Sequence, residues 1–301
     1  MCDSADDRRA GDDAGDPSDA FRLVGNEVRA EILRTMGDAR LEQRYSPVVS
    51  FSDLRSRVDT DIRSSRFNYH LQQLVGRYVE REDDGYRMRA EGRELYQTLR
   101  AGVFETREDV PAVNAGFECY YCSTGVEAAL ESGAVRIACP GCEYVYALAG
   151  APPGAVRDGG IALDRIEQQY HHRHLSFARG VCVTCGNEPD TELVPVGDLP
   201  FDDPERQALY VYCSCGNCGD QRHLTLGTAL LDDPELRAFC LDHGVDVLST
   251  PLWELEFAAT DRGVTVRSTN PWLVSLTVTD GDDTLELVVD GELTVRDRNR
   301  S

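Results

Sequence analysis

The chain has 301 residues and a formal net charge of −22, and all 31 of its basic residues are arginine. An acidic surface of this kind keeps a protein hydrated in concentrated salt, where charge repulsion is screened within about 3 Å at 1 M. No apolar stretch approaches the roughly 18 residues that cross a bilayer, and the N-terminus lacks the apolar run of a signal peptide. The sequence therefore argues against a membrane protein and predicts a cytoplasmic location with no membrane partner.

The acidic residues are unevenly distributed along the chain. Residues 19–102 carry 15 arginines and 14 acidic residues, whereas residues 103–301 carry 14 arginines and 33 acidic residues. A surface that approaches an anionic polymer has a physical reason to avoid carboxylates, because they repel phosphate. Residues 1–18 are acidic and have too little apolar side-chain surface to fold, so they are predicted to form a disordered acidic tail.

Three helices are predicted at the start of residues 19–102. The first is expected to begin at Asp19 and to end at Gly37 and Asp38, and Ser52 is expected to cap the second. His70 is predicted to pack beneath the third helix and not to bind a metal. The apolar residues recur at spacings of three and four, which places them on one buried face of each helix: Phe21, Val24, Val28, Ile32, Met36, Leu54, Val58, Phe67, Leu71 and Leu74.

A β-hairpin and a last helix complete this segment. The strand-like runs at 78–82 and 86–89 are joined by an Asp-Asp-Gly turn, which is a typical hairpin signal. The last helix is predicted to bury Leu95, Tyr96 and Leu99. The order helix, helix, helix, hairpin, helix is that of a winged helix-turn-helix domain.

Two stretches of this segment resemble known regulators. Residues 21–33, FRLVGNEVRAEIL, resemble the opening helix of ArsR-type regulators, and residues 67–75, FNYHLQQLV, resemble their recognition helix in its haloarchaeal form. The resemblance implies a DNA-binding transcriptional regulator, often a dimer, whose third helix enters the major groove and whose wing touches the DNA backbone. Relatives that sense metals usually carry ligands on the recognition helix or the dimer helices, and residues 19–102 contain no cysteine. The resemblance therefore supports DNA binding and leaves the signal open.

The exposed positions of the third helix and the wing carry residue types that suit DNA. Arginine pairs with guanine, and asparagine or glutamine pairs with adenine, so Arg66, Asn68 and Gln72 are predicted to reach base edges. A solvated helix face that binds a protein partner is the alternative. The remaining polar positions are predicted to contact phosphates: Ser64, Ser65 and Tyr69 on the helix, and Arg87 and Arg89 in the wing.

Four cysteines within residues 103–150 have the spacing of a zinc ribbon. Cys119 and Cys122 form one C-x2-C pair, and Cys139 and Cys142 form another after a gap of sixteen residues. Four thiolates at about 2.3 Å close a tetrahedral Zn²⁺ site and leave no position for water. The metal is therefore predicted to be structural, and a redox-active thiol pair is the alternative.

A second ribbon is predicted within residues 151–232. Cys182 and Cys185 form its first pair, and Cys215 and Cys218 are assigned as the second because they reproduce the C-x2-C-G form. Cys213 could replace Cys215 as a ligand and is otherwise expected to be buried in a strand. The sequence thus predicts two structural Zn²⁺ ions.

A linker helix is predicted over residues 161–178, before the second ribbon. Its three histidines, His171, His172 and His174, lie next to one another in the sequence, so only two of them share a helix face. Two ligands do not complete a metal site. These histidines are therefore predicted to be surface residues.

Residues 233–301 are predicted to form a small α+β segment with a β-meander. A helix starts at Asp233 and Pro234 and contains Cys240 as a small core residue. Three strand-like runs follow, over residues 272–278, 284–289 and 292–295. Asp290 and Gly291 are predicted to form a two-residue hairpin turn between the last two strands.

The predicted fold class is α+β, with a winged helix-turn-helix, two four-cysteine zinc ribbons and a C-terminal α+β part. The preferred function is a sequence-specific transcriptional regulator that binds double-stranded DNA as a homodimer. The alternative is an adaptor of the basal transcription machinery, because a winged helix followed by a zinc ribbon also resembles archaeal transcription factor E, which contacts RNA polymerase. An enzyme is not expected, since no phosphate loop, nucleophile elbow or catalytic-zinc ligand set is found.

Overall fold

The computed structural model describes residues 22–43, 45–58, 62–157, 159–197, 203 and 205–301. The chain divides into two compact units, Met1–Glu105 and Thr106–Ser301. The predicted acidic tail of residues 1–18 lies outside the described residues, and so does Phe21. No helix in the described part of the chain is long and apolar enough to cross a membrane.

The first unit consists of helices and one hairpin around an apolar core. The core buries Ile32, Met36, Leu54, Phe67 and Leu71 among others. The predicted inward stripe of the third helix is therefore confirmed, and the order of elements is the predicted one. The elements are α1 (Glu27–Gln43), α2 (Phe51–Arg57), α3 (Ser64–Leu74), β1 (Val79–Glu82), β2 (Gly85–Met88) and α4 (Ala90–Arg100).

The predicted first helix is interrupted: residues 22–24 are helical, Gly25 and Asn26 form a bend, and α1 starts at Glu27. Helix α1 then continues past the predicted end at Gly37 to Gln43. The glycine is used for close packing: a Cβ atom at Gly37 would lie 2.4 Å from the Cδ2 atom of Tyr96. The Tyr96 hydroxyl donates a hydrogen bond of 2.7 Å to Asp38 Oδ1, which fixes the ring over this position. Gly37 therefore marks a contact between two helices and not the helix end that the sequence predicts.

Two further details of the first unit differ from prediction. The N-cap of α2 is Ser50 and not Ser52, because the Ser50 hydroxyl accepts the N–H of Asp53 at 3.1 Å. Leu99 was expected to be buried, but it is 44% exposed at the end of α4. Tyr96 takes the inward position of that turn.

Val49 forms an isolated antiparallel β-bridge with strand β2 of the hairpin. Its N–H and C=O groups pair with those of Tyr86, with both N···O distances at 2.9 Å. The two backbone segments can approach closely because position 85 is glycine. A Cβ atom there would lie 2.4 Å from the Val49 carbonyl oxygen. The hairpin is thereby tied to the segment that leads into α2.

The second unit contains three antiparallel sheets of three or four strands and one long helix, α5. Strands β3 to β6 form one sheet in chain order, and strands β12 to β15 form another; β9 to β11 form the third. The elements are β3 (Val110–Glu118), β4 (Gly125–Glu131), β5 (Ala134–Ala138), β6 (Val145–Gly150), β7 (Val156–Arg157), β8 (Gly160–Ile161), α5 (Leu163–Ala178), β9 (Asp190–Pro195), β10 (Leu209–Ser214), β11 (Gln221–Leu224), α6 (Leu226–Ala229), α7 (Pro234–Asp242), α8 (Glu256–Ala259), β12 (Val264–Thr269), β13 (Trp272–Asp280), β14 (Asp283–Asp290) and β15 (Val295–Arg300).

The C-terminal sheet is the predicted meander with a fourth strand, β12, which was not predicted. Its last turn is longer than the predicted two residues. The Asp290 carboxylate accepts the N–H groups of Glu292 and Thr294 at 3.0 Å each, and Leu293 takes a left-handed conformation with φ 57°. The last strand therefore begins at Val295, because residues 291–294 are held in the turn.

Candidate metal centres and nucleic-acid interface

The structure brings eight cysteines into two groups of four. Within each group, the Sγ atoms all lie within 4.8 Å of one another. A tetrahedral Zn²⁺ with metal–sulfur distances of 2.3 Å requires sulfurs about 3.8 Å apart. The two groups are therefore compatible with two zinc sites. The close pairs are Cys119 and Cys142 at 3.6 Å, Cys122 and Cys139 at 3.3 Å, Cys182 and Cys218 at 3.5 Å, and Cys185 and Cys215 at 3.4 Å.

All four C-x2-C turns share one hydrogen-bond pattern. The N–H of the first cysteine donates to the carbonyl five residues later, and the N–H four residues later donates back to the carbonyl of that cysteine. The first bond joins Cys119 to Thr124, Cys139 to Tyr144, Cys182 to Asn187 and Cys215 to Asp220, and the second joins Ser123, Glu143, Gly186 and Gly219 to the same cysteines, all at 2.8 or 2.9 Å.

This hydrogen-bond pattern shows which of Cys213 and Cys215 belongs to the second group of four sulfurs. Cys215 begins a complete turn of this kind, whereas Cys213 lies within β10, opposite Thr191 on β9. Cys213 is 2% exposed, its sulfur is 3.7 Å from the Thr191 hydroxyl, and burial raises the pKa of its thiol. Cys213 is therefore a core residue, as expected, and so is Cys240 in α7, where burial raises the pKa to about 11.

The first centre receives hydrogen bonds from its own sheet. The Tyr146 hydroxyl, on β6, lies 3.1 Å from Cys119 Sγ, and the backbone N–H of Tyr121 lies 3.4 Å from the same sulfur. Burial raises the pKa of the Cys119 thiol, but these hydrogen bonds outweigh burial and lower the pKa. A thiolate is the form that binds zinc, so the surroundings of this sulfur favour a metal ligand.

One exposed cysteine of each centre is also stabilised as a thiolate. A hydrogen bond with the Thr124 hydroxyl lowers the pKa of Cys122 to about 6. At the second centre, the backbone N–H of Asn187 and the side chain of Asn217 lower the pKa of Cys185 to about 6. Each centre therefore has one exposed sulfur of lowered pKa. The second centre also exposes Cys218, where the backbone N–H of Asp220 lowers the pKa but desolvation and the neighbouring sulfurs raise it to about 12.

The histidines of α5 do not join either sulfur group. His171 and His174 are 2% and 8% exposed, so the prediction of surface histidines is wrong for these two. His171 Nδ1 lies 3.2 Å from Glu167 Oε1, and His174 Nδ1 lies 2.7 Å from the Tyr170 carbonyl oxygen. They are buried because the helix packs between apolar clusters on both sides, which periodicity alone did not show.

The predicted DNA-contacting residues of α3 lie on one exposed face. Arg66 forms no ion pair or hydrogen bond through its side chain with any residue that the structure describes, and the Gln72 amide donates to the Tyr86 hydroxyl at 3.2 Å. His70 is buried beneath them as predicted, and burial lowers its pKa. The exposed residues are Ser64, Ser65, Arg66, Asn68, Tyr69 and Gln72.

The wing arginines already contact carboxylates. Arg87 lies 2.9 Å from Glu82 and 3.6 Å from Glu80, and Arg89 lies 3.3 Å from Glu91. Pairs of this exposure contribute little, typically 0 to about 1 kcal/mol, so they hold the two arginines only weakly. The hairpin β1–β2 is nevertheless acidic overall, whereas the exposed face of α3 carries no carboxylate.

Residues 116–295 match a family described as a domain of unknown function (DUF7351), and this match covers more than half of the chain. The chain belongs to the DUF7351 family. Both cysteine groups lie inside the matched region. Residues 17–99 match a second family, also described as a domain of unknown function (DUF7347), and this region contains α1 to α3 and the hairpin. No curated protein and no solved structure matches the chain.

Proposed function

We propose that this protein is a sequence-specific, DNA-binding transcriptional regulator whose first unit is a winged helix-turn-helix. The observation that supports this most is the two-sided character of α3. One side buries Phe67, Leu71 and Leu74 completely, and the other presents polar residues to solvent. A helix held rigidly by its apolar side can carry base-reading side chains into the major groove.

The hairpin and Val49 support the same assignment. A winged helix places a small antiparallel sheet beside the recognition helix, and here Val49 pairs with β2 while Gln72 of α3 donates to Tyr86 of β2. The sheet and α3 are thereby held together. This arrangement would orient the wing beside the same stretch of DNA.

Arg66 is the residue proposed to contribute most to specificity. Its guanidinium has no protein partner among the described residues, so it would lose no ion pair on meeting a guanine. One good bidentate contact discriminates between bases by roughly 1–3 kcal/mol. Asn68 is one exposed position further along the helix and is proposed to read an adjacent base.

The two metals are proposed to be Zn²⁺ with a structural role. Four sulfurs at each centre leave no position for a substrate or an activated water. Each centre also joins β-strands of a small sheet, so binding of metal and folding of the second unit should be coupled.

A homodimer is proposed through the end of the first unit. Val103 and Phe104 follow α4 and are 50% and 73% exposed, next to the exposed Leu99. Neighbouring exposed apolar side chains are typical of a surface that another protein covers. A dimer would double the contacts with DNA, which compensates for the loss of phosphate-based affinity in concentrated salt.

The test is selection of bound sequences from random duplex DNA in concentrated potassium chloride, with wild type and Arg66→Ala side by side. We expect wild type to enrich one motif, palindromic for a dimer, and Arg66→Ala to lose preference at one base position. Arg93→Ala, on α4, is the control and should enrich the same motif as wild type. Absence of any enriched motif would contradict this function and favour an adaptor that binds a protein of the transcription machinery.

A further inference from the structure

The second unit contains a cleft of about 1000 Å³ that metal binding does not account for. Its walls come from β5 and β6, from α5, and from β10 and β11. Sites for small molecules are typically about 300–1000 Å³, and they combine apolar walls with a few polar groups. The cleft therefore has the size of a ligand site.

Four arginines and three acidic residues, Glu143, Asp203 and Glu205, line this cleft, so arginines outnumber carboxylates there although the unit as a whole is strongly acidic. Arg136 on β5 and Arg173 on α5 form no ion pair within the described part of the chain, whereas most other arginines of this unit contact carboxylates. Arg222 on β11 lies 2.9 Å from Asp220, and its buried Nε atom has no hydrogen-bond partner among the described residues. Arg136 and Arg173 therefore offer unpaired guanidinium donors to an anion, whereas Arg222 is paired with Asp220 and its Nε is buried from solvent.

Aromatic rings form the inner wall of the cleft. The ring centroids of Tyr170 and His174 are 3.8 Å apart, and those of Tyr170 and Trp253 are 6.0 Å apart. Trp253 is 3% exposed, and Tyr146 on β6 also lines the cleft. The Tyr146 hydroxyl already lies against Cys119, so its contribution to the cleft is mainly its ring. Flat apolar surfaces of this kind favour a planar ligand.

His174 adds a neutral polar group to this wall. Its Nδ1 atom lies 2.7 Å from the Tyr170 carbonyl oxygen and must carry a proton to bond there. Burial lowers the pKa of His174 to about 4, so the ring is neutral at neutral pH and Nε2 is an acceptor. The histidine therefore adds no positive charge to the cleft, and the arginines are the groups that would bind an anion.

We propose that this cleft binds a small molecule with a planar aromatic or heteroaromatic ring and one anionic group, either carboxylate or phosphate. The ring would stack in the wall formed by Tyr170, His174 and Trp253. The anionic group would be held by Arg136 and Arg173. This inference concerns the second unit alone and does not depend on the proposed binding of DNA by the first.

The test uses the fluorescence of Trp253 in the full zinc-loaded chain. The chain has two tryptophans, so Trp272→Phe leaves Trp253 as the reporter. Benzoate and adenosine monophosphate are titrated as the carboxylate and phosphate probes, with benzamide and adenosine as their neutral counterparts. We expect one anionic probe to change the fluorescence saturably and its neutral counterpart to bind at least about tenfold more weakly, since a charge-assisted hydrogen bond is lost.

Variants of the arginines identify the site. Arg136→Gln and Arg173→Gln should each weaken binding by about tenfold, whereas Arg157→Gln, which lies outside the cleft, should leave it unchanged. Zinc content of each variant shows that the unit is folded. The proposal is overturned if neither anionic probe binds, if the neutral counterparts bind equally well, or if Arg136→Gln and Arg173→Gln bind as wild type does.

Discussion

The two cysteine centres have the same backbone geometry and differ in the residues that support it. The residue four positions after the first cysteine of each turn has positive φ. The second centre has Gly186 and Gly219 there, with φ 77° and 76°, whereas the first has Ser123 and Glu143, with φ 56° and 62°. Glycine takes this conformation without strain, but a residue with a Cβ atom does so at a cost of roughly 1–2 kcal/mol.

The two centres also differ in which residues form hydrogen bonds with their sulfurs. Cys185 of the second centre is supported by Asn217, which lies within a C-x2-C turn. Cys119 of the first centre is supported by Tyr146, which lies on the neighbouring strand β6. The first centre therefore relies partly on the sheet in which it is built, in addition to the local support that Thr124 gives to Cys122, whereas the support described for the second centre comes from its own turns.

The largest expected effect is loss of a ligand at the first centre. Cys139→Ser should reduce the zinc content from two to one per chain and abolish cooperative unfolding of the sheet β3 to β6. Binding of a structural zinc contributes on the order of 10 kcal/mol in small domains, and that contribution would be lost. Elemental analysis and thermal unfolding measure the two effects.

Cys213→Ser is the matched control at the second centre. It should keep both zinc ions and lose only about 1–3 kcal/mol of stability, because a hydroxyl replaces a buried thiol in the core. Loss of one zinc in this variant would reassign Cys213 as a ligand and would contradict the shared geometry of the two centres.

Acid should lower the unfolding free energy of the second unit through His174 on α5. His174 of α5 has an ordinary pKa of 6.5 and a folded-state pKa of about 4 because of burial. The unfolded chain therefore binds a proton in this window that the folded chain does not, and stability falls as the pH falls from about 6.5 to about 4. The expected loss is ~3 kcal/mol.

Urea unfolding of the second unit at several pH values, with zinc content followed in parallel, measures this effect. His174→Gln should flatten the pH dependence, and His172→Gln, at an exposed position, should leave it unchanged. An unaltered pH dependence in His174→Gln would show that burial of this ring does not couple protonation to folding.

Tyr146→Phe should weaken the first centre alone. A hydrogen bond to a charged group contributes about 1.5–3 kcal/mol, and loss of such a bond to a metal ligand typically lowers metal affinity by about 10–100-fold. Competition with a chelator should therefore remove one zinc before the other. Tyr144→Phe removes a hydroxyl that donates to the Ala259 carbonyl at 3.0 Å. In the Tyr144→Phe variant, the chelator should remove the two zinc ions at the same concentrations as in wild type.

The smallest expected effect is a gain in stability. Glu143→Gly should stabilise the first centre by about 1 kcal/mol, because glycine relieves the left-handed strain. Gly186→Ala should destabilise the second centre by about the same amount, although its Cβ atom would meet no neighbour within 4 Å. Equal stability of both variants with wild type, in chemical unfolding, would mean that the two centres tolerate this conformation equally.

The eight sulfurs, their grouping and the stripe of α3 were predictable because each depends on local spacing. Gly37 was misread, because a glycine that admits Tyr96 looks the same in the sequence as one that ends a helix. The burial of His171 and His174 was missed because the helix is covered on two sides by strands distant in sequence. The Val49 pairing with Tyr86 depends on the same kind of long-range partner. Strand β12 does not, because it pairs with β13, which follows it directly with Thr269 opposite Trp272.

The cleft was also not predictable from the sequence. Arg136, Arg173 and Arg222 are separated by tens of residues, and nothing in their local sequence distinguishes them from the other arginines of an acidic chain. Only the folded second unit brings these residues, on β5, α5 and β11, to different walls of the same cleft. The left-handed positions of Ser123 and Glu143 were similarly hidden, whereas glycine after Cys185 and Cys218 was a usable signal.

The affinity of the full chain for DNA, measured by fluorescence anisotropy in concentrated potassium chloride, tests the assignment of α3 most directly. Wild type should bind its selected duplex at least about a thousandfold more tightly than a duplex of shuffled sequence. Arg66→Ala should reduce that ratio by about tenfold or more. Equal affinity of wild type for both duplexes would contradict the assignment of α3 as a recognition helix.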